Sequence, residues 1–328
     1  MSEMNRREFL KTAAVSSAAL AIASPVLVAA ENGSSNAPQL PRRVYKPGIE
    51  LSVIAFPAIM LRTPLADQEK ANRVVGKAVE RGCNYFDVAP AYGDAQQKLG
   101  PALQPYRKNV FLSCKTKRRD AAGAKAELNN SLGLLRTDHF DLYQLHAIID
   151  VKKDVDAAFA KGGAMETILE AKKAGVIRHI GFTAHTAEAA LAALDRFEFD
   201  SIMFPLNFAS IMKGNFGQDI LDTAKKKNCT RITIKSFCRQ EWPSGANRGQ
   251  FRQLWYEPLF DRHEAELGLR WTMSQEITTT IPPGDENVFN LACELAMNLK
   301  PMTAAETEEL KALAMKLSPL FRAGRVTG

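Results

Sequence analysis

Cysteine is scarce in this 328-residue chain: Cys83, Cys114, Cys229, Cys238 and Cys293 are too few and too scattered for a disulfide framework. None of them forms a C-x-x-C pair able to hold zinc or an iron–sulfur cluster. An odd thiol count in an exported protein fits folding in a reducing compartment before export. H-x-H pairs and grouped carboxylates are missing too, so no metal site is expected and a metal-dependent barrel hydrolase has little support, although His146 and His185 are present. No G-x-G-x-x-G follows the first strand pattern, which excludes a Gly-rich dinucleotide fold. The formal net charge is +7, but the single dense basic run, Lys115 to Arg119, is short and carries no interleaved aromatics. Nucleic-acid binding is therefore not expected.

What is present begins with Arg6 and Arg7, followed by the moderately apolar TAAVSSAALAIASPVLVAA and the polar ENGSSNAP. A charged head, an apolar stretch diluted by Ala and Ser, and small residues near Ala30 are the layout of a twin-arginine signal peptide. Pro25 and four Ser or Thr residues make the stretch a marginal membrane span, so no stable insertion is expected after cleavage. The chain is thus read as a signal peptide over 1–30, a linker over 31–44 and one folded body over 45–328. Its expected place is the periplasm or another exported location, and its expected partner in transit is the twin-arginine export machinery.

In the body, short β-branched or aromatic runs alternate with amphipathic ones. LSVIAF, NYFDVA, VFLSCK, FDLYQLH, IRHIGFT, DSIMFPL, RITIKSF and TTTIPP read as eight strands. Leu128, Leu132 and Leu135 share one helical face, Gly175 is a helix stop, and Thr303 with Glu306 forms a capping-box pattern. Strands alternating with helices at this length predict an α/β fold, a (β/α)8 TIM barrel. Two connections, 148–164 and 239–262, are longer than the rest. They follow strand C-termini, so substrate choice is expected there, with Trp242, Phe251, Trp255 and Tyr256 in the second.

Four polar residues fall at or just beyond the ends of consecutive strands: Asp87, Tyr92, Lys115 and His146. Phe111, Ser113 and Lys115 share one strand face, as do Leu142, Gln144 and His146. If those faces point into the barrel, Lys115 requires a carboxylate, and Asp87 on the adjacent strand is its expected partner. A nearby ammonium would also lower the pKa of Tyr92, making the phenol a usable acid or base while His146 orients a substrate oxygen.

GCNYFDVAPAYG, LSCKTK, SLGLLRTDHFDLYQLH and EAKKAGVIRHIGFTAH closely resemble segments of the aldo-keto reductase family. The resemblance runs from about Tyr45 to the last helix and is weakest after Phe237. It implies hydride transfer between a nicotinamide cofactor and a small carbonyl or alcohol, with a catalytic tetrad at Asp87, Tyr92, Lys115 and His146. It also implies cofactor contacts at Thr183, at Lys235, Ser236 and Phe237 along the pyrophosphate, and in the segment holding Gly284 and Asp285. The family's usual Asn, Gln and stacking aromatic are replaced by Ala184, Met203 and Ile234, for which His185 or Asn207 could compensate. Asp285 and Glu286, standing where relatives that prefer a 2′-phosphate carry cations, point to NADH over NADPH as the form of NAD(P)H used. The competing reading is a non-catalytic exported barrel that binds a ligand or partner.

Overall fold

The computed structural model describes residues 38–325, so the segment read as a signal peptide lies outside the described residues. Eight parallel strands form one sheet: β3 (Phe56–Pro57), β4 (Tyr85–Asp87), β5 (Phe111–Thr116), β6 (Phe140–Ile148), β7 (Ile177–Ala184), β8 (Ser201–Pro205), β9 (Thr230–Ile234) and β12 (Thr279–Ile281). The sheet closes where Thr280 bridges Ile54, its N–H donating to the Val53 carbonyl and its own carbonyl accepting from Ala55. Helices between the strands pack outside. They include α1 (Gln68–Glu80) after β3, α2 (Ala95–Leu103) after β4, α3 (Ala121–Leu134) after β5 and α4 (Ala164–Lys173) after β6. This is the expected (β/α)8 barrel.

Strand alternation sorts the core into two parts. Outward side chains such as Phe86, Leu112, Tyr143 and Phe182 pack under the helices. Inward ones, Tyr85, Phe111, Leu142, Met203, Ile232 and Ile281, fill the barrel. An N-terminal hairpin, β1 (Arg42–Lys46) and β2 (Ile49–Ser52), plugs the bottom. Its Tyr45 packs on Phe111 with ring centres 5.1 Å apart and the planes tilted by 59°, and its hydroxyl donates to Ser201 Oγ at 3.2 Å. With the floor filled mainly by apolar side chains, the charged inward residues Asp87 and Lys115 lie toward the upper rim.

Two boundaries differ from the sequence reading. LSVIAF is not one strand: Leu51 and Ser52 belong to the hairpin, and only Phe56 and Pro57 lie in β3. The alternating pattern is the same for plug and barrel, so pattern alone could not separate them. Likewise the expected linker ends earlier, because Arg42–Val44 already pair with Glu50–Ser52. All five cysteines are buried free thiols. No helix of the described residues is long and apolar enough to cross a membrane.

Candidate active site

Register brings the four rim residues together. Asp87 on β4 lies level with Ser113 on β5, and Lys115, two residues further along the same inward face, lies level with Gln144 on β6. Lys115 is 1 % exposed. Its ammonium donates to both Asp87 oxygens at 2.5 and 2.6 Å, and Ser113 Oγ donates to Asp87 Oδ1 at 2.8 Å. Tyr92, on the loop after β4, places its hydroxyl 3.4 Å from Lys115 Nζ, and its ring meets that of His146 edge-on at 5.9 Å.

His146 is held through its backbone. Ala147 beside it has a left-handed φ of 56°, and its N–H donates to Thr183 Oγ1 at 2.6 Å. Arg119 donates to the His146 carbonyl at 2.7 Å while paired with Asp154. In the sequence Arg119 is only the end of a short basic run, and no local signal shows that it reaches back to the rim.

Electrostatics correct one expectation. Burial raises the Tyr92 pKa above its ordinary 10.0, and Lys115 offsets this only in part. The ammonium is spent on Asp87, whose oxygens are nearly 1 Å nearer than the phenol, so the predicted lowering does not result. For Lys115 itself, burial pulls downward, but Asp87 and Tyr92 overcome it and the net shift is upward. His146 is pushed well below its ordinary 6.5, first by burial and then by the charge on Lys115. It is neutral at neutral pH, and its Nδ1 has no hydrogen-bond partner among the described residues.

A base with a depressed folded pKa takes up a proton more readily when unfolded. Stability is therefore expected to fall as pH drops below about 6.5, and His146→Gln should make that slope shallower. Urea midpoints of the two proteins across the acid range test this; parallel slopes would show that His146 does not carry the effect.

Above the four residues lies a cavity of about 310 Å³. Thr183, His185, Met203, Ile234, Lys235 and Gly284 form one side of it, and Gln253, Leu254, Trp255 and Tyr256 cover it. Those four belong to the 239–262 connection, as expected. Trp242 pins that loop from outside by donating to the Leu254 carbonyl, and Phe251 packs on Phe260 instead. The 148–164 connection contributes no residue to the cavity. It winds into helical turns over Val151–Phe159, tied back through Asp154.

The residues expected to touch a cofactor divide. Thr183, Lys235 and Gly284 line the cavity. Lys235 has a left-handed φ of 70°, and its ammonium rests 4.9 and 4.8 Å from the ring centres of Trp255 and Tyr256. It has no carboxylate partner among the described residues, and burial lowers its pKa to about 8. Asn207, Ser236 and Phe237, the other residues expected at the cofactor, are not among those lining the cavity. Asn207 caps a short helix, Phe208–Met212, and donates to the Lys235 carbonyl; Ser236 bonds Thr280; Phe237 is buried in the core. They shape the Lys235 turn and do not face the cavity. Asp285 lies in a neighbouring cavity with Lys70 and Glu286. Its Oδ1 caps the helix Glu286–Ala296 by accepting from Asn287 and Val288, and Oδ2 accepts from Gln253. Among the described residues no group of three His, Cys, Asp or Glu is placed to hold a metal ion.

An uncharacterised oxidoreductase of Bacillus subtilis is 28% identical over 43% of this chain and 48% of its own length. An aldo-keto reductase of the same organism is 27% identical over 53% and 54%. The matches thus span about half the length of these curated relatives. Among solved structures, an aldo-keto reductase of Bacillus halodurans in its holo form superposes with a TM-score of 0.66 at 22% identity, covering 84% of this chain and 96% of that one. A glycerol dehydrogenase of Gluconobacter oxydans gives 0.62 at 18%, covering 82% and 93%. At these identities the structures speak for the fold. Residues 3–23 match a twin-arginine translocation signal sequence. Residues 62–239, more than half of the sequence, match the Aldo/keto reductase family, and together with the barrel this establishes that the chain belongs to that family.

Proposed function

We propose that this protein is an exported oxidoreductase that interconverts a small carbonyl compound and its alcohol, with NAD(P)H as the redox partner. The observation that carries the reading is the Asp87–Lys115–Tyr92 relay beside a neutral His146 at the floor of a covered cavity. The cofactor, when bound, supplies or accepts a hydride. The residues on the cavity wall fit such a group. Lys235 is a half-buried cation with no anionic partner among the described residues, as a pyrophosphate requires, and Met203 and Ile234 offer apolar surface beside Thr183.

Within this reading, Tyr92 gives its proton to the carbonyl oxygen during reduction. Its raised pKa keeps the phenol protonated through neutral pH, the form needed for donation. As the proton leaves, the nearby Lys115 ammonium stabilises the phenolate, and Asp87 holds that ammonium charged and aimed. His146, neutral, hydrogen-bonds the substrate oxygen and keeps it within reach of Tyr92. In alcohol oxidation the proton path reverses.

Thr183, Lys235 and Gly284 are assigned to cofactor contact. Asp285 is assigned to the adenosine end from within its cap, with Asn207, Ser236 and Phe237 supporting the Lys235 turn. NADH is the preferred form, because Asp285 and Glu286 place two carboxylates there. Lys70 and Arg73, both paired with Glu286, make this preference small. Titration of purified protein with both forms should show NADH binding several-fold tighter; equal or tighter NADPH binding would reassign that end to Lys70 and Arg73.

The segment 1–30 is assigned as the twin-arginine signal peptide, with the periplasm as destination, 31–41 as the linker region and the rest, from the hairpin strand Arg42–Lys46 onward, as the catalytic body. Cofactor consumption with a panel of aldehydes and ketones tests the activity. A folded protein that binds neither cofactor would favour a ligand-binding barrel instead.

A further inference from the structure

The unpaired charges around the mouth are all of one sign. In the inner cavity the only carboxylate, Asp87, is neutralised by Lys115, which leaves Arg62 and Lys235. Arg62 and Gln253 also line a second, outer cavity of about 810 Å³. Its walls comprise the turn from Arg62 to Leu65, Gly93, and the loop segment from Gly249 to Gln253 without Phe251. They contain two guanidinium groups, Arg62 and Arg252, and no acidic residue.

Neither arginine makes a side-chain hydrogen bond or ion pair among the described residues, whereas Arg107, Arg119, Arg239 and Arg270 each bind carboxylates. Arg62 is half-buried and Arg252 exposed.

The turn carrying Arg62 is built and fixed. Leu65 N–H donates to the Arg62 carbonyl at 2.7 Å. Thr63 donates from N–H and hydroxyl to Asp94 at 2.8 and 2.6 Å, and Asp94 pairs with Lys98 at 3.0 Å. The Asp94 carboxylate is thereby engaged by Thr63 and Lys98, and no bond from it to Arg62 is formed. The same bonds tie the turn to the segment of Tyr92: a Cβ on Gly93 would lie 3.6 Å from the Arg62 Cβ. Arg62 therefore sits where the inner cavity with Tyr92 opens into the basic outer one. A guanidinium held half out of water without a partner fits a planar anion.

We propose that the substrate carries an anionic group, a carboxylate or a phosphate, which Arg62 and Arg252 hold in the outer cavity while its carbonyl reaches Tyr92. That the ligand is a carbonyl compound rests on the function proposed above; the anion site is testable without turnover. The probes are benzaldehyde, 4-carboxybenzaldehyde and 4-formylphenyl phosphate, titrated calorimetrically into the full chain without cofactor at low salt.

At least one anionic probe should bind about tenfold more tightly than benzaldehyde, the tighter of the two identifying the anion. Arg62→Gln should remove most of that ratio. Arg252→Gln, at an exposed charge screened by water, should reduce it only a few-fold. Arg62→Lys should keep part of it if the site is electrostatic. Equal binding of all three probes, or a ratio unchanged in the double Gln variant, overturns the proposal. So does a matching loss of NADH affinity, which would put the arginines on the dinucleotide. Anion-selective binding by a folded protein that binds neither NADH nor NADPH would keep this site and remove the reductase reading.

Discussion

Tyr92→Phe is expected to lower kcat for carbonyl reduction by about a thousandfold while leaving cofactor affinity within a factor of two or so, the range of effect for a positioned general acid. The phenol oxygen is the only part removed, and it faces Lys115 at 3.4 Å. Packing of the ring on His146 survives in phenylalanine. The wild-type rate should also be flat through neutral pH and fall only in the alkaline range, because burial holds the Tyr92 pKa above 10.0. Steady-state kinetics with parallel cofactor titration separate the two effects. A variant retaining a tenth of the wild-type rate would remove Tyr92 from the proton path.

Lys115→Met should be the most destabilising single change at the rim, by about 3–5 kcal/mol, since it leaves a buried carboxylate without its cation. Asp87 would retain only the Ser113 hydroxyl. Adding Asp87→Asn should restore most of the loss, because a neutral amide can share the Ser113 bond without an uncompensated charge. Guanidinium melts of the single and double variants decide it. A double variant no more stable than Lys115→Met would mean that packing, not charge, is the cause. The sign with pH follows from the raised Lys115 pKa. The stabilisation is fully present below the ordinary lysine value of 10.5 and is lost as pH rises through the higher folded value.

Much of this was written locally. Alternation of side chains along a strand is a property of covalent geometry, so Phe111–Ser113–Lys115 and Leu142–Gln144–His146 each share one face by sequence alone. Strand spacing then predicted the barrel, and the need of a buried ammonium for a carboxylate predicted the Lys115–Asp87 pair. Cofactor contacts were less legible. Ser236 and Phe237 sit beside Lys235 in sequence, yet the left-handed turn at Lys235 sends the lysine into the cavity and leaves its neighbours in the wall.

Sequence alone thus determined the strand order, the inward residues and the pairing that their burial demands, because each follows from period and from the cost of an isolated charge. Tertiary structure alone decided how acidic Tyr92 is, which loop roofs the cavity, and that Asp285 caps a helix while holding Gln253. It also decided that Arg62 and Arg252, 190 positions apart, share a cavity with no carboxylate between them. Those outcomes are sums over groups distant in the chain, where burial and competing partners set the balance.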